Sequence, residues 1–164
     1  MTLSDISKEA LKVAQKNSVG VDALPQGHVV SVYSLHTDGY PNIDPHNNIK
    51  IIQSDLFEKI KDKFDIIVSN PPYIKMDVIK TLEPEVQKEP ILALDGGKDG
   101  LNIYRKIINQ AHEYLNENGY LCLEIGYDQK NEVINLIKQT NKYKEIYSKK
   151  DLAGNDRIVV CKKE

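Results

Sequence analysis

Residues 64–73 read FDIIVSNPPY, and this decamer sets the architecture expected of the 164-residue chain. Its first part, residues 64–69, is almost continuously apolar, as in a parallel strand that is buried on both faces. Asn70-Pro71-Pro72-Tyr73 follows directly, and two prolines without backbone donors can continue neither a strand nor a helix. The decamer therefore predicts a buried strand that ends in a rigid turn.

Strands and helices alternate on both sides of the decamer. Short apolar runs predict further strands at residues 2–4, 49–53, 120–125, 143–148 and 157–162. Helical periodicity predicts helices at residues 7–17, 99–116 and 128–139, and residues 75–95 predict a long loop with helical pieces. This order is typical of an α/β protein with a doubly wound parallel sheet, whose ligand site lies at the carboxyl ends of the strands.

Composition excludes several classes of protein. With 40% hydrophobic and 28% charged residues the chain is typical of globular proteins, and no apolar run approaches the roughly 20 residues of a membrane span. Two cysteines, Cys122 and Cys161, are too few for a disulfide framework or a zinc site. The first residues lack the basic flank and apolar stretch of a signal peptide, so the sequence predicts a cytoplasmic location.

Charge argues against a nucleic-acid partner. The formal net charge is -2, and among 22 basic residues only Arg105 and Arg157 carry the forked guanidinium that reads bases and holds phosphates. The lysine clusters are interleaved with acidic residues, as on an ordinary solvated surface. The sequence therefore predicts only a weak nucleic-acid footprint.

The tetrad at residues 70–73 suits the recognition of a planar NH2 group. A residue before proline is held extended, so Asn70 and Pro71 both aim their oxygens rigidly past the end of the strand. The Asn70 side-chain oxygen and the Pro71 carbonyl are then two acceptors for the two hydrogens of an amide or an exocyclic amine. Tyr73 supplies a flat apolar wall. The alternative is a Pro-Pro turn that only closes the strand.

The wider pattern resembles one enzyme family. Further matching segments are residues 65–69, Glu89-Pro90, residues 93–97 (ALDGG), residues 99–101 (DGL), Tyr104-Arg105, residues 123–126 (LEIG), residues 151–154 (DLAG) and Asp156-Arg157. Together they are similar to the protein-(glutamine-N5) methyltransferases that modify peptide chain release factors, the HemK or PrmC family. The resemblance covers residues 3–17 and 49–162 and implies a Rossmann-like class I methyltransferase fold.

The resemblance also implies S-adenosylmethionine as the cofactor and a release factor as the protein substrate. The implied catalytic residues are Asn70, Pro71, Pro72 and Tyr73. The implied cofactor-binding residues are Asp5 at the ribose hydroxyls with its neighbour Ile6, Asp55 at the adenine amino group, Leu56 or Phe57 against the ring, and Asn70. Without the resemblance, Asp5 is equally an acid at a helix start and Asp55 is equally a turn cap.

The reaction that the resemblance implies is direct methyl transfer to a clamped amide nitrogen, without a nucleophilic side chain or a metal. The clamp helps by fixing orientation and by accepting hydrogen bonds that strengthen as the nitrogen gains positive character. Two other functions stay open. One is methylation of an amino group on a nucleic-acid base, which the same clamp accepts; the other is an inactive remnant that only binds a glutamine-bearing loop.

The chain departs from the family pattern at its beginning. It lacks the glycine-rich loop, the first strand and the helix after it, so we expect a single methyltransferase domain over residues 1–164 that is truncated at its N-terminus. Loss of a central strand predicts two half-sheets with unpaired edges. It also predicts weak or absent cofactor binding, unless a partner chain supplies the strand.

Residues 18–48 are the second departure, because this atypical segment is longer than the expected connection between a helix and a strand. We expect a surface insertion or a stretch of sequence from outside the family. The alternative is that residues 28–36 (HVVSVYSLH) fill the vacant central position as a substitute strand. The segment also holds potential metal ligands whose spacing matches no known site: His28, His36, Asp38, Asp44 and His46.

Overall fold

The computed structural model describes residues 2–5, 29–33 and 50–164. These residues form an α/β structure around one seven-stranded sheet. The strands are β1 (Thr2–Asp5), β2 (Val29–Tyr33), β3 (Lys50–Gln53), β4 (Phe64–Asn70), β5 (Leu115–Glu124), β6 (Tyr143–Lys150) and β7 (Asp156–Lys163). Their order across the sheet is β3-β1-β2-β4-β5-β7-β6.

Four α-helices and one short 3-10 helix lie in the described part of the chain. They are α1 (Met76–Ile79), α2 (Ile91–Leu94), α3 (Asn102–Tyr114) and α4 (Lys130–Thr140), with the 3-10 helix at Val86–Lys88. Helices α3 and α4 confirm the two long helices predicted after the decamer, and the helix predicted at residues 7–17 lies outside the described residues. Within the described ranges, no helix is long and apolar enough to cross a bilayer.

The hydrophobic core lies between one face of the sheet and helices α3 and α4. Strands β4 and β5 contribute side chains with no exposed surface: Ile67, Leu121 and Leu123. The helices contribute the buried stripe that their periodicity predicts: Ile103, Tyr104, Ile107, Ile108 and Ala111 from α3, and Val133 and Ile137 from α4. Burial of one large apolar side chain stabilises the fold by about 1.5–3 kcal/mol, so packing fixes the position of both helices.

The sheet is mixed, so the prediction of a parallel sheet holds for only some of its strand pairs. Strand β1 runs parallel to β3 and β4 runs parallel to β5, whereas β2 and β7 are antiparallel to both of their neighbours. For β7 the reason is local. Only residues 151–155 connect β6 to β7, and a connection this short permits an antiparallel hairpin but no parallel crossover.

Strand β2 occupies the centre of the sheet, between β1 and β4. Val30 pairs with Ser4 on one side and with Ser69 on the other. The expectation of two half-sheets with unpaired edges is therefore wrong, and residues 29–33 of the atypical segment are not a surface insertion but the substitute strand. The physical reason is that unpaired strand edges at the centre of the sheet would leave backbone donors and acceptors without partners. The sequence VVSVY, rich in β-branched residues, forms a strand that pairs with both edges.

Amide hydrogen exchange tests this placement directly. Because β2 is bonded on both sides, we expect the amides of Val30 and Val32 to exchange as slowly as that of Ile67 in β4. The exposed Leu152 in the β6–β7 turn is the fast-exchanging control. If Val30 and Val32 exchange as fast as Leu152 in an NMR measurement, β2 does not hold the central position.

Candidate active site

Four strands end at the same edge of the sheet. The pairing directions make β1, β3, β4 and β5 point the same way, with β2 running against them. Their last residues, Asp5, Gln53, Asn70 and Glu124, therefore lie along one edge. Only β2 separates Asp5 from Asn70, which places their backbones about 10 Å apart. This is the carboxyl edge at which the sequence predicts the ligand site.

A cavity of about 80 Å³ opens beside the tetrad. It is lined by residues 70–74, by Ala93 and Leu94 of α2, and by Glu124 at the end of β5. One water molecule needs about 10–15 Å³ by such a measure, so several water molecules or one planar amide group fit. Asn70 is half-buried, and its side chain makes no hydrogen bond to the part of the chain that the structure describes.

Backbone hydrogen bonds fix the segment after the two prolines against the turn at residues 94–97. The Ile74 amide donates to the Leu94 carbonyl (3.0 Å), and the Gly96 amide donates back to the Ile74 carbonyl (2.8 Å). The Met76 amide donates to the Gly97 carbonyl (3.1 Å). Two separate segments of the predicted pattern are therefore bonded into one rigid wall of the cavity.

Gln129 holds three backbone groups behind this wall. Its Nε2 donates to the carbonyls of Tyr73 (3.0 Å) and Gly100 (3.3 Å), and its Oε1 accepts from the Gly126 amide (3.1 Å). Only 6% of Gln129 is exposed, so an amide without these partners would leave buried polar groups unsatisfied. Sequence reasoning missed Gln129, because the three groups that it joins are far apart along the chain.

Glu124 is the second residue that sequence reasoning missed. Its backbone carbonyl accepts a hydrogen bond from the hydroxyl of the buried Tyr104 (2.7 Å). Burial raises the pKa of the Glu124 carboxyl above its ordinary value of 4.5, and the Arg157 guanidinium partly offsets this rise. The sequence signal that could have pointed to Glu124 was its position at the end of a predicted strand, within the segment Leu123-Glu124-Ile125-Gly126.

Arg157 is held near Glu124 from the other side. Its Nε and Nη2 atoms bond to Asp151 (3.3 and 3.2 Å), and its Nη1 reaches the Ile125 carbonyl (3.5 Å). Asp151 also closes the turn at residues 151–155, because its carboxylate accepts from the Asn155 amide (2.9 Å). The last segment of the predicted pattern therefore supports the strand end that carries Glu124.

The structure places the predicted cofactor-binding residues at or near the same edge. Asp5 ends β1, Asp55 follows β3 and opens a turn, and Ile6 lies outside the described residues. Leu56 and Phe57 are buried, and the Phe57 ring stacks on Tyr114 with centroids 4.7 Å apart. Phe57 is therefore part of the hydrophobic core. The roles of these residues toward a cofactor stay predictions.

The described residues contain no candidate metal site, because no three His, Cys, Asp or Glu side chains lie close enough together there to hold a metal ion. The five potential ligands of the atypical segment, at positions 28, 36, 38, 44 and 46, lie outside the described residues.

Comparison with known proteins gives the family. Residues 3–154 match the family described as Eco57I restriction-modification methylase. A release factor glutamine methyltransferase of Clostridium botulinum is 50% identical over 129 residues, which cover 74% of this chain and 45% of that protein. One of Agrobacterium fabrum is 39% identical over 163 residues, which cover 98% and 48%. The chain thus spans about half the length of the curated relatives it matches.

Solved structures show the same fold. A methyltransferase from Pyrococcus furiosus superposes with a TM-score of 0.61 at 17% identity, covering 98% of this chain and 61% of that one. This confirms the predicted Rossmann-like class I methyltransferase fold. The chain belongs to the Eco57I restriction-modification methylase family, and the resemblance to release factor glutamine methyltransferases that its motifs predict is confirmed.

Proposed function

We propose that the protein methylates the side-chain amide nitrogen of a glutamine in a peptide chain release factor, in the cytoplasm, with S-adenosylmethionine as methyl donor. The observation that carries this proposal is the open cavity beside Asn70 and Pro71 at the carboxyl edge of the sheet. A tetrad that only closed the strand would have no need of such a cavity. The relatives named release factor glutamine methyltransferase support the choice of substrate.

The residues at this edge suit the cofactor. Asp5 would accept hydrogen bonds from the ribose hydroxyls, and Asp55 would accept one from the adenine amino group. Asp5 ends β1 and Asp55 follows β3, and both strands lie on the side of β4 away from the strand that carries Glu124. When bound, the cofactor supplies an electrophilic methyl group on a sulfonium sulfur.

Asn70 and Pro71 would orient the acceptor. Their two oxygens accept the two amide hydrogens, which turns the nitrogen lone pair out of the cavity and toward the methyl group. Tyr73 packs on the plane of the amide. Both acceptors are held before substrate arrives, because the prolines and the bonds to residues 94–97 fix the loop.

The rim of the cavity suits a protein substrate. Three large apolar side chains stand exposed on the helices next to its lining residues in the chain, Met76 on α1 (56%) and Ile91 and Leu92 on α2 (67% and 62%). Both arginines of the chain are already paired, Arg105 with Asp99 and Arg157 with Asp151. A surface with apolar contacts and no free guanidinium fits a polypeptide better than a phosphate backbone.

A second candidate is methylation of an exocyclic amine on a nucleic-acid base. The specific observation in its favour is the match to a family described as a restriction-modification methylase. The clamp of Asn70 and Pro71 oxygens does not distinguish an amide from an aromatic amine. A third outcome, binding of a glutamine-bearing loop without transfer, follows if the chain holds no cofactor.

One experiment separates these functions. The chain is titrated with S-adenosylmethionine by calorimetry, and then incubated with radiolabelled cofactor and either a release factor or duplex DNA. We use millimolar cofactor, because the chain contains no Gly-x-Gly-x-Gly sequence and its affinity is expected to be low. The expected result is label on the release factor, and none when its acceptor glutamine is changed to glutamate. Label on DNA supports the second candidate, and absence of cofactor binding supports the third.

A further inference from the structure

Methylation of an amide nitrogen releases a proton, and some group must accept it. The glutamine amide carries two hydrogens on nitrogen, whereas the N-methyl product carries one. The nitrogen lone pair forms the new N–C bond, the electron pair of the broken C–S bond stays on sulfur, and one N–H proton must leave. Asn70 and Pro71 offer amide oxygens, which accept hydrogen bonds but are too weakly basic to hold that proton.

Among the described residues that line the cavity, Glu124 is the acidic one. The other lining side chains are Asn, Pro, Tyr, Ile, Ala and Leu, and none of these is a base near neutral pH. A carboxylate is the common proton acceptor in such a position.

The strand register places Glu124 beside the clamp. Ser69 of β4 pairs with Leu123 of β5, so Asn70 and Glu124 are neighbours one step further along two parallel strands. Side chains alternate along a strand, so both side chains leave the face of the sheet opposite to the buried Ser69 and Leu123. Adjacent strands lie about 4.8 Å apart, so both side chains reach one amide group.

The surroundings of Glu124 favour proton transfer. Among the described residues, Tyr104 and Arg157 are the titratable groups that interact with the Glu124 carboxyl, and Tyr73 lines the same cavity. Arg157 is already paired with Asp151. Burial keeps the pKa of the carboxyl above 4.5, nearer to neutrality, where a general base is more effective. In its ionised form the carboxylate also stabilises the positive charge that develops on the nitrogen.

We propose that Glu124 shares the amide N–H that donates to the Asn70 oxygen, in a three-centre hydrogen bond, and accepts its proton as the bond between the nitrogen and the methyl carbon forms. This rests on the proposed function of the same cavity. The carboxylate becomes a carboxylic acid, and the half-buried side chain then returns the proton to solvent.

The substitution Glu124→Gln tests this proposal, with Glu113→Gln on the exposed surface of α3 as the matched control. We expect kcat to fall about 10²-fold in Glu124→Gln and to stay unchanged in the control. In the wild-type chain, kcat should fall tenfold per pH unit below the pKa of Glu124, which lies above 4.5. In Glu124→Gln this fall of kcat at low pH should be absent. If kcat of Glu124→Gln still falls tenfold per pH unit over the same range, the proposal is overturned.

A measurement without catalysis gives an independent readout. The carboxyl carbon of Glu124 is followed by NMR while a glutamine peptide is added, and a peptide with glutamate at the same position is the control. An amide donor beside the carboxylate should lower the pKa of Glu124, and the glutamate peptide should not. No change with the glutamine peptide overturns the proposal. If the wild-type chain methylates the release factor but both readouts fail, only this inference is lost; if it methylates nothing, the proposed function is lost with it.

Discussion

Replacing Asn70 by alanine should lower kcat for methyl transfer to the release factor by about 10³-fold, and it should leave the affinity for S-adenosylmethionine nearly unchanged. The side-chain oxygen of Asn70 is one of two acceptors that hold the amide, and it lines the cavity rather than bonding to the described part of the chain. Alanine therefore removes an acceptor without breaking a hydrogen bond to any described residue, and stability should change little.

The measurement is a single-turnover assay with saturating cofactor, combined with calorimetric titration of the cofactor. The exposed Asn135 on α4 provides the control Asn135→Ala, which removes the same group far from the cavity. We expect full activity in the control. Retained activity in Asn70→Ala would remove the clamp from the mechanism. Loss of cofactor binding would instead assign Asn70 chiefly to the cofactor, a role that the family resemblance also implies.

The tetrad was predictable because its signal is local. Asn70-Pro71-Pro72-Tyr73 restricts its own backbone, and the strand before it is visible as an apolar run. The same holds for α3, whose buried stripe repeats with helical periodicity. Where the information lies within one segment, the sequence predicts the element and its place: the tetrad lines the cavity and the stripe of α3 faces the core.

The central position of β2 was harder to predict, because it depends on partners that are far away in the chain. Residues 29–33 are a short β-branched run, and nothing in them distinguishes a surface strand from one between β1 and β4. Because β2 runs antiparallel to both neighbours, the handedness rule for crossovers between parallel strands does not apply to it. The antiparallel direction of β7 can be predicted from sequence, because the short connection at residues 151–155 already implies a hairpin.

Gln129 and Glu124 were harder to assign for the same reason. Gln129 joins Tyr73, Gly100 and Gly126, and only the folded chain brings these together. Glu124 reaches the cavity because β5 pairs with β4 in one particular register. A shift by one residue would turn Glu124 to the other face of the sheet.

The contact between Tyr73, Gly100 and Gln129 leads to the largest expected effect on stability. We expect Gly100→Ala to lower the free energy of unfolding by about 3 kcal/mol. Gly100 has a φ of +76°, a left-handed conformation that costs an alanine about 1–2 kcal/mol. In addition, its Cβ would lie 2.5 Å from the Tyr73 carbonyl oxygen and 2.6 Å from Nε2 of Gln129. Those two groups must shift, which disrupts the hydrogen bond from Gln129 to the Tyr73 carbonyl.

Gly154→Ala is the matched control, because Gly154 also has a positive φ (+86°) but nothing lies within 4 Å of an added Cβ. It should lose only the conformational part, about 1 kcal/mol. Urea denaturation of the two variants measures the difference. Because the Tyr73 carbonyl belongs to the wall of the cavity, Gly100→Ala should also reduce methyl transfer, while Gly154→Ala keeps it. Equal destabilisation of the two variants would mean that Gln129 does not tie residue 100 to the tetrad, and that the wall of the cavity is held by the bonds to residues 94–97 alone.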